Sequence, residues 1–372
     1  MADTNRIHWL DNLRSITIFM VLLYHVGGVY EAAGLWGWFW IVDDPSTITW
    51  VGIVGILFDI MVMPIMFFIA GYMTPPSMWY KSEQEFLEKK FKRLVVPWMI
   101  AVILLIPLYK VIFLFSRSLP QEHWSTYFHI TSQNSQNWLW FLPVLFSFDI
   151  IYTFIAKSRI LYKKLPLKYL IAGIFLLSMT FSVIAGLAAG HRSWTLSPII
   201  DFENERILLY VLVFLLGAFF KQQDLFKELS AKKNLYNIVT SVAWIPICVH
   251  IGARLVPFFY PEDFSITSLY LLVWWFSFNL SLLALMYIMI ESFRRFFDKP
   301  GKIWDALNRN SYGVYIIHVI VIGVFGTLLL HVNIPAVLKY LSLIVLTYAV
   351  SNLLVSAYRG VVKRGARLRK EK

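Results

Sequence analysis

Uncharged apolar stretches separated by polar segments recur along the whole chain. They lie at roughly 13–33, 50–73, 94–115, 138–156, 169–188, 207–220, 235–253, 265–290, 311–330 and 335–357, and the sixth is the shortest. A helix needs about 20 mostly apolar residues to cross the hydrocarbon core of a bilayer, and most of these stretches approach that length. The pattern predicts an all-α fold, a polytopic membrane helical bundle of about ten transmembrane helices.

The placement of charge predicts the orientation of these helices. With the N-terminus inside, nearly all Lys and Arg residues fall in cytoplasmic segments, and the outer loops hold only Arg117, Arg192, Arg206 and Arg254. Basic residues accumulate in cytoplasmic loops of membrane proteins. Both termini are therefore expected in the cytoplasm, and residues 1–372 are expected to form a single membrane domain with a basic tail at about 358–372.

Composition agrees with this membrane assignment. The chain is 58% hydrophobic and 15% charged, with a net charge of +12. Because the positive charge faces anionic lipid and cytosol, it requires no nucleic-acid partner. Cys248 is the only cysteine, which excludes an intramolecular disulfide and a CxxC metal site, and no other metal-binding pattern occurs. The lipid bilayer is the partner that composition predicts.

One cytoplasmic segment has the pattern of an amphipathic helix. Ser82 followed by Glu85 is a capping-box pattern, which marks a helix start. The apolar residues that follow share one helical face: Phe86, Leu87, Phe91 and Leu94. We expect this helix to lie on the inner surface and to run into the third span.

The predicted outer loops contain a tryptophan cluster and scattered histidines. Trp36, Trp38 and Trp40 fit an interfacial aromatic belt, and they also fit stacking on carbohydrate; the sequence leaves both interpretations open. The spacing of the loop histidines fixes no partner, so we expect them to be solvated: His123, His129 and His191.

Ionisable residues inside spans are functional candidates because the bilayer makes them costly. They are Arg14 and His25 in the first span, Asp59, Lys110, Asp149, His318 and Lys339. Arg14 and His25 are eleven residues apart, so on a helix they share a face within roughly 20° and lie about 16 Å apart along the axis.

This face has a functional and a structural interpretation. A guanidinium at the inner rim suits phosphate binding, and an imidazole deep in the bundle suits proton transfer. Alternatively, Arg14 anchors the helix at the cytoplasmic surface and His25 makes a polar contact between helices.

Asp59 and His318 also have two interpretations each. Asp59 could orient an imidazole or pair with Lys110. His318 shares a face with Ser311 and Tyr315, and it could be a second acid/base, a tunnel residue or a structural hydrogen-bonding residue.

Five stretches, in order along the chain, resemble those of a known family. They are Arg14-(ten residues)-His25, residues 67–72 (FFIAGY), residues 89–94 (KKFKRL) with Pro97, residues 138–142 (WLWFL) and residues 311–318 (SYGVYIIH). Together they resemble the acyltransferase-3 family of integral-membrane O-acyltransferases, and among its standalone members the glucan-succinylating type.

The resemblance implies an activity and a set of site residues. The activity is transfer of an acyl group from cytosolic acetyl-CoA or succinyl-CoA to a hydroxyl of an envelope glycan or glycolipid, across a bacterial inner membrane. The implied catalytic residues are His25, as general base or acyl carrier, and His318. Asp59 joins them as a candidate from its place within a span, not from the resemblance. The implied cofactor-binding residues, at the acyl-CoA site, are Arg14, Lys90, Lys92, Arg93 and Tyr315.

Two functions of other classes compete with acyl transfer. A transporter or flippase of a glycan or small molecule would favour Gly- or Pro-broken spans in matched halves, which the sequence does not show. A non-catalytic membrane scaffold would need Arg14 for stability alone.

Overall fold

The computed structural model describes residues 7–32, 40–79, 81–128, 136–158, 164–230, 234–260 and 265–368. Trp36, Trp38 and His129 lie outside these ranges, as do the last four residues of the basic tail. Expectations about them remain predictions.

Helices dominate the described chain. The α-helices are α1 His8–Tyr30, α2 Thr49–Met78, α3 Glu83–Ser116, α4 Phe141–Lys157, α5 Leu167–Ala189, α6 Ile207–Gln223, α7 Leu225–Ser230, α8 Leu235–Val242, α9 Trp244–Phe259, α10 Ser268–Phe296, α11 Lys302–Leu330 and α12 Ala336–Leu368. Two short 3-10 helices cover Trp124–Tyr127 and Asn137–Trp140. The strands β1 Trp194–Thr195 and β2 Phe202–Glu203 form one antiparallel pair.

The membrane prediction is confirmed. Among the described residues, nine helices are long and apolar enough to cross a membrane, counting α8 with α9 as one and α4 with the 3-10 helix Asn137–Trp140 as one. The expected sixth span is the shorter apolar helix α6, which has 17 residues. At about 1.5 Å per residue it spans roughly 26 Å, the lower limit for crossing. The all-α polytopic bundle therefore contains nine long apolar helices and one short one in its described part.

The chain divides into two compact units. The terminal unit comprises residues 1–58, 107–123 and 293–372, and the central unit comprises residues 59–106 and 124–292. The candidate residues Arg14, His25, Tyr315 and His318 belong to the terminal unit. The other candidates belong to the central unit: Asp59, Lys90, Lys92 and Arg93.

In the terminal unit, α1 and α11 run side by side in the same direction. Near the start of α1, Asn12 Oδ1 accepts a hydrogen bond from Asn308 Nδ2 at 2.9 Å, and Asn12 Nδ2 donates to Phe297 O, before α11, at 2.8 Å. Near its end, His25 contacts His318. Because successive spans alternate in direction, the expected first and ninth spans must run the same way, and α1 and α11 do. The last helix, α12, runs antiparallel to α11, since Asn310 Nδ2 donates to Ser356 Oγ at 2.8 Å.

In the central unit, two glycines allow α2 and α6 to cross closely. A Cβ built at Gly71 would overlap the carbonyl oxygen of Phe214, and a Cβ built at Gly217 would overlap that of Phe68. Small residues permit such backbone approach between membrane helices. Gly71, in the stretch of residues 67–72 that resembles the family pattern, therefore serves helix packing.

The amphipathic helix expected before the third span is the first part of α3. The capping box is confirmed, because Glu85 N donates to Ser82 Oγ and Ser82 N donates to Glu85 Oε2, each at 3.2 Å. Phe86 and Leu94 are buried, whereas Phe91 is 41% exposed. The segment expected on the cytoplasmic side and the third span therefore form one continuous helix.

We expect Gly217→Ala to destabilise the protein, because the added methyl group must push α2 and α6 apart. Overpacking of this kind costs about 1–3 kcal/mol. Thermal unfolding in detergent measures the effect. Gly173→Ala in α5 is the matched control, since nothing lies within 4 Å of its Cβ position. Equal stability of the two variants would contradict the close crossing.

Candidate functional site

His25 of α1 and His318 of α11 form an imidazole pair. His318 Nε2 lies 3.2 Å from His25 Nδ1, and the ring centroids are 5.0 Å apart. His318 is buried, with 1% of its surface exposed, and His25 is half-buried. The structure thus joins two candidate residues that are 293 positions apart in the sequence.

Backbone carbonyls determine which nitrogen of each ring carries the proton. His318 Nδ1 lies 2.7 Å from Tyr315 O, and His25 Nδ1 lies 2.8 Å from Val21 O. A carbonyl only accepts, so both Nδ1 atoms donate, and each neutral ring keeps its lone pair on Nε2. Within the described residues, no side chain or backbone group bonds to His25 Nε2. His25 therefore presents a basic nitrogen.

Both hydrogen bonds at His25 Nδ1 can persist when His25 takes up a proton. After protonation at Nε2, the His25 Nδ1 hydrogen still points at Val21 O and at the lone pair of His318 Nε2. Hydrogen bonds to a charged group contribute about 1.5–3 kcal/mol each. In this geometry His25 Nε2 keeps a lone pair that can accept a proton, and His318 contacts the opposite nitrogen.

Tyr315 contributes to this arrangement mainly through its backbone. Its carbonyl holds His318 Nδ1, and its side chain is buried, with the ring centroid 6.1 Å from that of His318. Its expected contact with the acyl donor stays a prediction.

Arg14 lies at the other end of the same helical face. Its Nη2 lies 3.1 Å from the Asp11 carboxylate and 3.4 Å from Asn308 O, and 29% of its side chain is exposed. Asn308 also accepts a hydrogen bond from Ser15 Oγ. Arg14 and His25 both contact α11, so the shared face inferred from their spacing is confirmed.

Of the expected phosphate-binding cations in α3, Lys90 has another role. Lys90 Nζ lies 2.7 Å from Asp149 Oδ1 and 3.3 Å from Thr74 Oγ1, and the Asp149 side chain is fully buried. A buried carboxylate needs a partner, and separating the pair would leave an uncompensated charge. The assignment of Lys90 as a phosphate ligand is therefore corrected: it binds Asp149. Lys92 pairs with Glu88 on the exposed face.

Arg93 is also exposed. It and Lys92 therefore remain accessible cations at the start of α3, as the sequence predicted. Whether they bind phosphate stays a prediction.

Asp59 binds neither of the partners suggested by the sequence. Its two oxygens each accept a 2.8 Å hydrogen bond from Arg206, and Arg254 lies 3.5 Å away. Lys110 instead pairs with Glu122 at 3.3 Å. A bidentate guanidinium contact satisfies both carboxylate oxygens. The proposed role of Asp59 in orienting an imidazole is therefore corrected to a structural ion pair.

His191 differs from its expected solvated state. Its Nδ1 lies 2.9 Å from Glu205 Oε1, and its side chain is 7% exposed. The two-stranded β1–β2 hairpin folds the loop back and brings these residues together. Glu205 also accepts from Trp275 Nε1 at 3.1 Å. The sequence does contain acidic residues before α6 that could have suggested a partner for His191: Asp201, Glu203 and Glu205. In the structure, burial raises the pKa of the Glu203 carboxyl.

Comparison with known proteins identifies the relationships of the chain. A family model described as an acyltransferase domain, that of the acyltransferase-3 family, matches residues 7–355. The matched range includes the imidazole pair, Arg14 and α3. No curated protein and no solved structure matches the chain.

The Lys90–Asp149 pair gives a prediction for stability. We expect Lys90→Met and Asp149→Leu each to lower the free energy of unfolding by about 3–5 kcal/mol, because each leaves one buried charge alone. The double variant should recover most of that loss. Lys92→Met is the control, since an exposed pair contributes about 0–1 kcal/mol. Additive losses in the double variant, measured by thermal unfolding, would contradict the pairing.

Proposed function

The chain belongs to the acyltransferase-3 family and is a multi-pass membrane acyltransferase. We propose that it transfers an acetyl or succinyl group from cytosolic acyl-CoA to a hydroxyl of a glycan on the outer side of a bacterial inner membrane. His25 is the general base.

The imidazole pair is the observation that supports this proposal most strongly. A hydroxyl oxygen is a weak nucleophile until a base takes its proton. His25 presents a lone pair on Nε2, and Val21 O and His318 hold the opposite nitrogen in the required tautomer. This arrangement resembles the orientation of a catalytic imidazole by a second group.

The proposed step balances without a further reactant. The glycan hydroxyl gives its proton to His25 Nε2, and its oxygen attacks the thioester carbonyl carbon. A C–O bond forms, the C–S bond breaks, and the CoA thiolate leaves. The imidazolium then returns the proton to the thiolate, so the products are the ester and CoA thiol.

Basic residues on the expected cytoplasmic side support binding of the CoA phosphates. In the terminal unit the Arg14 side chain is partly exposed, and in the central unit Lys92 and Arg93 are exposed on α3; each is a candidate by itself. A guanidinium fork matches phosphate oxygens. Lys90 is excluded from this proposed set because Asp149 occupies it.

We expect His25→Ala to abolish acyl transfer, because no base remains at that position. The measurement is mass spectrometry of envelope polysaccharide esters from cells that express each variant. His331→Ala is the matched control, since this exposed histidine follows α11 in the same unit. Normal ester content with the His25 variant, at equal protein level, would refute the proposed role.

His318→Phe should lower the transfer rate roughly 10- to 100-fold while retaining some activity, because a lost hydrogen bond to a charged group costs about 1.5–3 kcal/mol. His318→Gln, which can still accept from His25, should recover part of the rate. Steady-state kinetics of the purified variants provide the measurement. Wild-type rates in the Phe variant would exclude coupling between the two rings.

A further inference from the structure

A short segment before α2 lies across α1 and α11 in the terminal unit. This outer strap comprises residues 40–44. A Cβ built at Gly28 would overlap the Trp40 ring, and a Cβ built at Gly323 would overlap Ile41. The strap therefore lies directly on backbone surfaces that only glycine leaves open.

Charged side chains fix the strap at both ends. Arg117 Nη2 donates to Trp40 O at 2.8 Å. At the other end, the buried Asp44 carboxylate pairs with the buried Lys339 Nζ at 3.0 Å. Moving the strap would separate Asp44 from Lys339 and leave two buried charges unpaired, which is costly. These contacts therefore define one position for the strap.

The strap places an indole beside the proposed base. The Trp40 and His25 ring centroids are 5.7 Å apart, with the rings nearly perpendicular at 79°. Trp40 rests on Gly28, which is about one helical turn beyond His25 in the direction away from Arg14. In the predicted orientation of α1, the indole therefore lies between His25 and the outer surface.

From this position we propose that Trp40 is a specificity-determining residue that binds a sugar ring of the acceptor and holds its hydroxyl beside His25. This inference rests on the proposed function. An acyl donor from the cytosol approaches past Arg14, so the acceptor is the substrate that meets Trp40. The half-buried indole is an apolar aromatic surface, which suits the C–H groups of a sugar ring.

The test measures transfer from succinyl-CoA to a glucan oligosaccharide by purified protein, with the KM of each substrate determined separately. Trp40→Ala should raise the KM for the oligosaccharide about 3- to 10-fold, as expected for loss of one aromatic contact. The KM for succinyl-CoA should stay unchanged. Trp40→Phe should retain most of the affinity, and Trp40→Leu should not.

Gly28→Ala tests the placement of the ring without removing it. The new methyl group must displace the indole, so this variant should also raise the oligosaccharide KM. Gly173→Ala and Trp50→Ala are the matched controls. Gly173 has open space at its Cβ position, and the Trp50 ring contacts Tyr340 at 5.8 Å. Both controls should behave as the unchanged protein does.

The outcomes separate this inference from the function on which it rests. If the unchanged protein transfers no acyl group to the glucan, both are overturned. If it transfers, and the oligosaccharide KM is the same in Trp40→Ala and Gly28→Ala, the inference alone is overturned. A Trp40 that only anchors the strap at the membrane interface would lower the amount of folded protein and leave both KM values unchanged.

Discussion

The parallel packing of α1 against α11 is the constraint on which the candidate site depends. The first and the penultimate long helices of the chain meet through polar contacts near both ends of α1. Asn308 joins α1 near Arg14, and His318 joins it at His25. Polar contacts between membrane helices fix their register as well as adding stability. A change of register by one residue would separate the two imidazoles and expose the base in another direction.

Buried polar groups are held in two different ways in this protein. In the central unit, Lys90 and Asp59 are each held by a strong opposite charge, as buried ions in an apolar environment require. The terminal unit contains one such pair as well, Asp44–Lys339, but among the described residues His25 is held through one nitrogen by neutral groups. A neutral imidazole tolerates burial where a charge does not, and it keeps a lone pair for reaction. This difference is why the proposed function uses the histidine and not the ion pairs.

The sequence predicted the helices and the face that Arg14 and His25 share, but it did not predict the partners of the charged residues. Apolar stretches, the Ser82 capping box and the spacing of Arg14 and His25 depend on local periodicity, which a single sequence contains. The partner of Lys90 depends on how α3 packs against α4, and no local pattern encodes that. For the same reason His191 was expected in solvent, although the hairpin buries it against Glu205.

The most direct test of the account is transfer across a sealed membrane. Liposomes that contain the protein would hold a glucan oligosaccharide inside, and acyl-CoA with an isotope-labelled acyl group would be added outside. The account predicts labelled ester on the enclosed glucan with the unchanged protein and none with His25→Ala. Equal amounts of enclosed ester from both proteins, or acyl-CoA consumption with no ester inside, would contradict it.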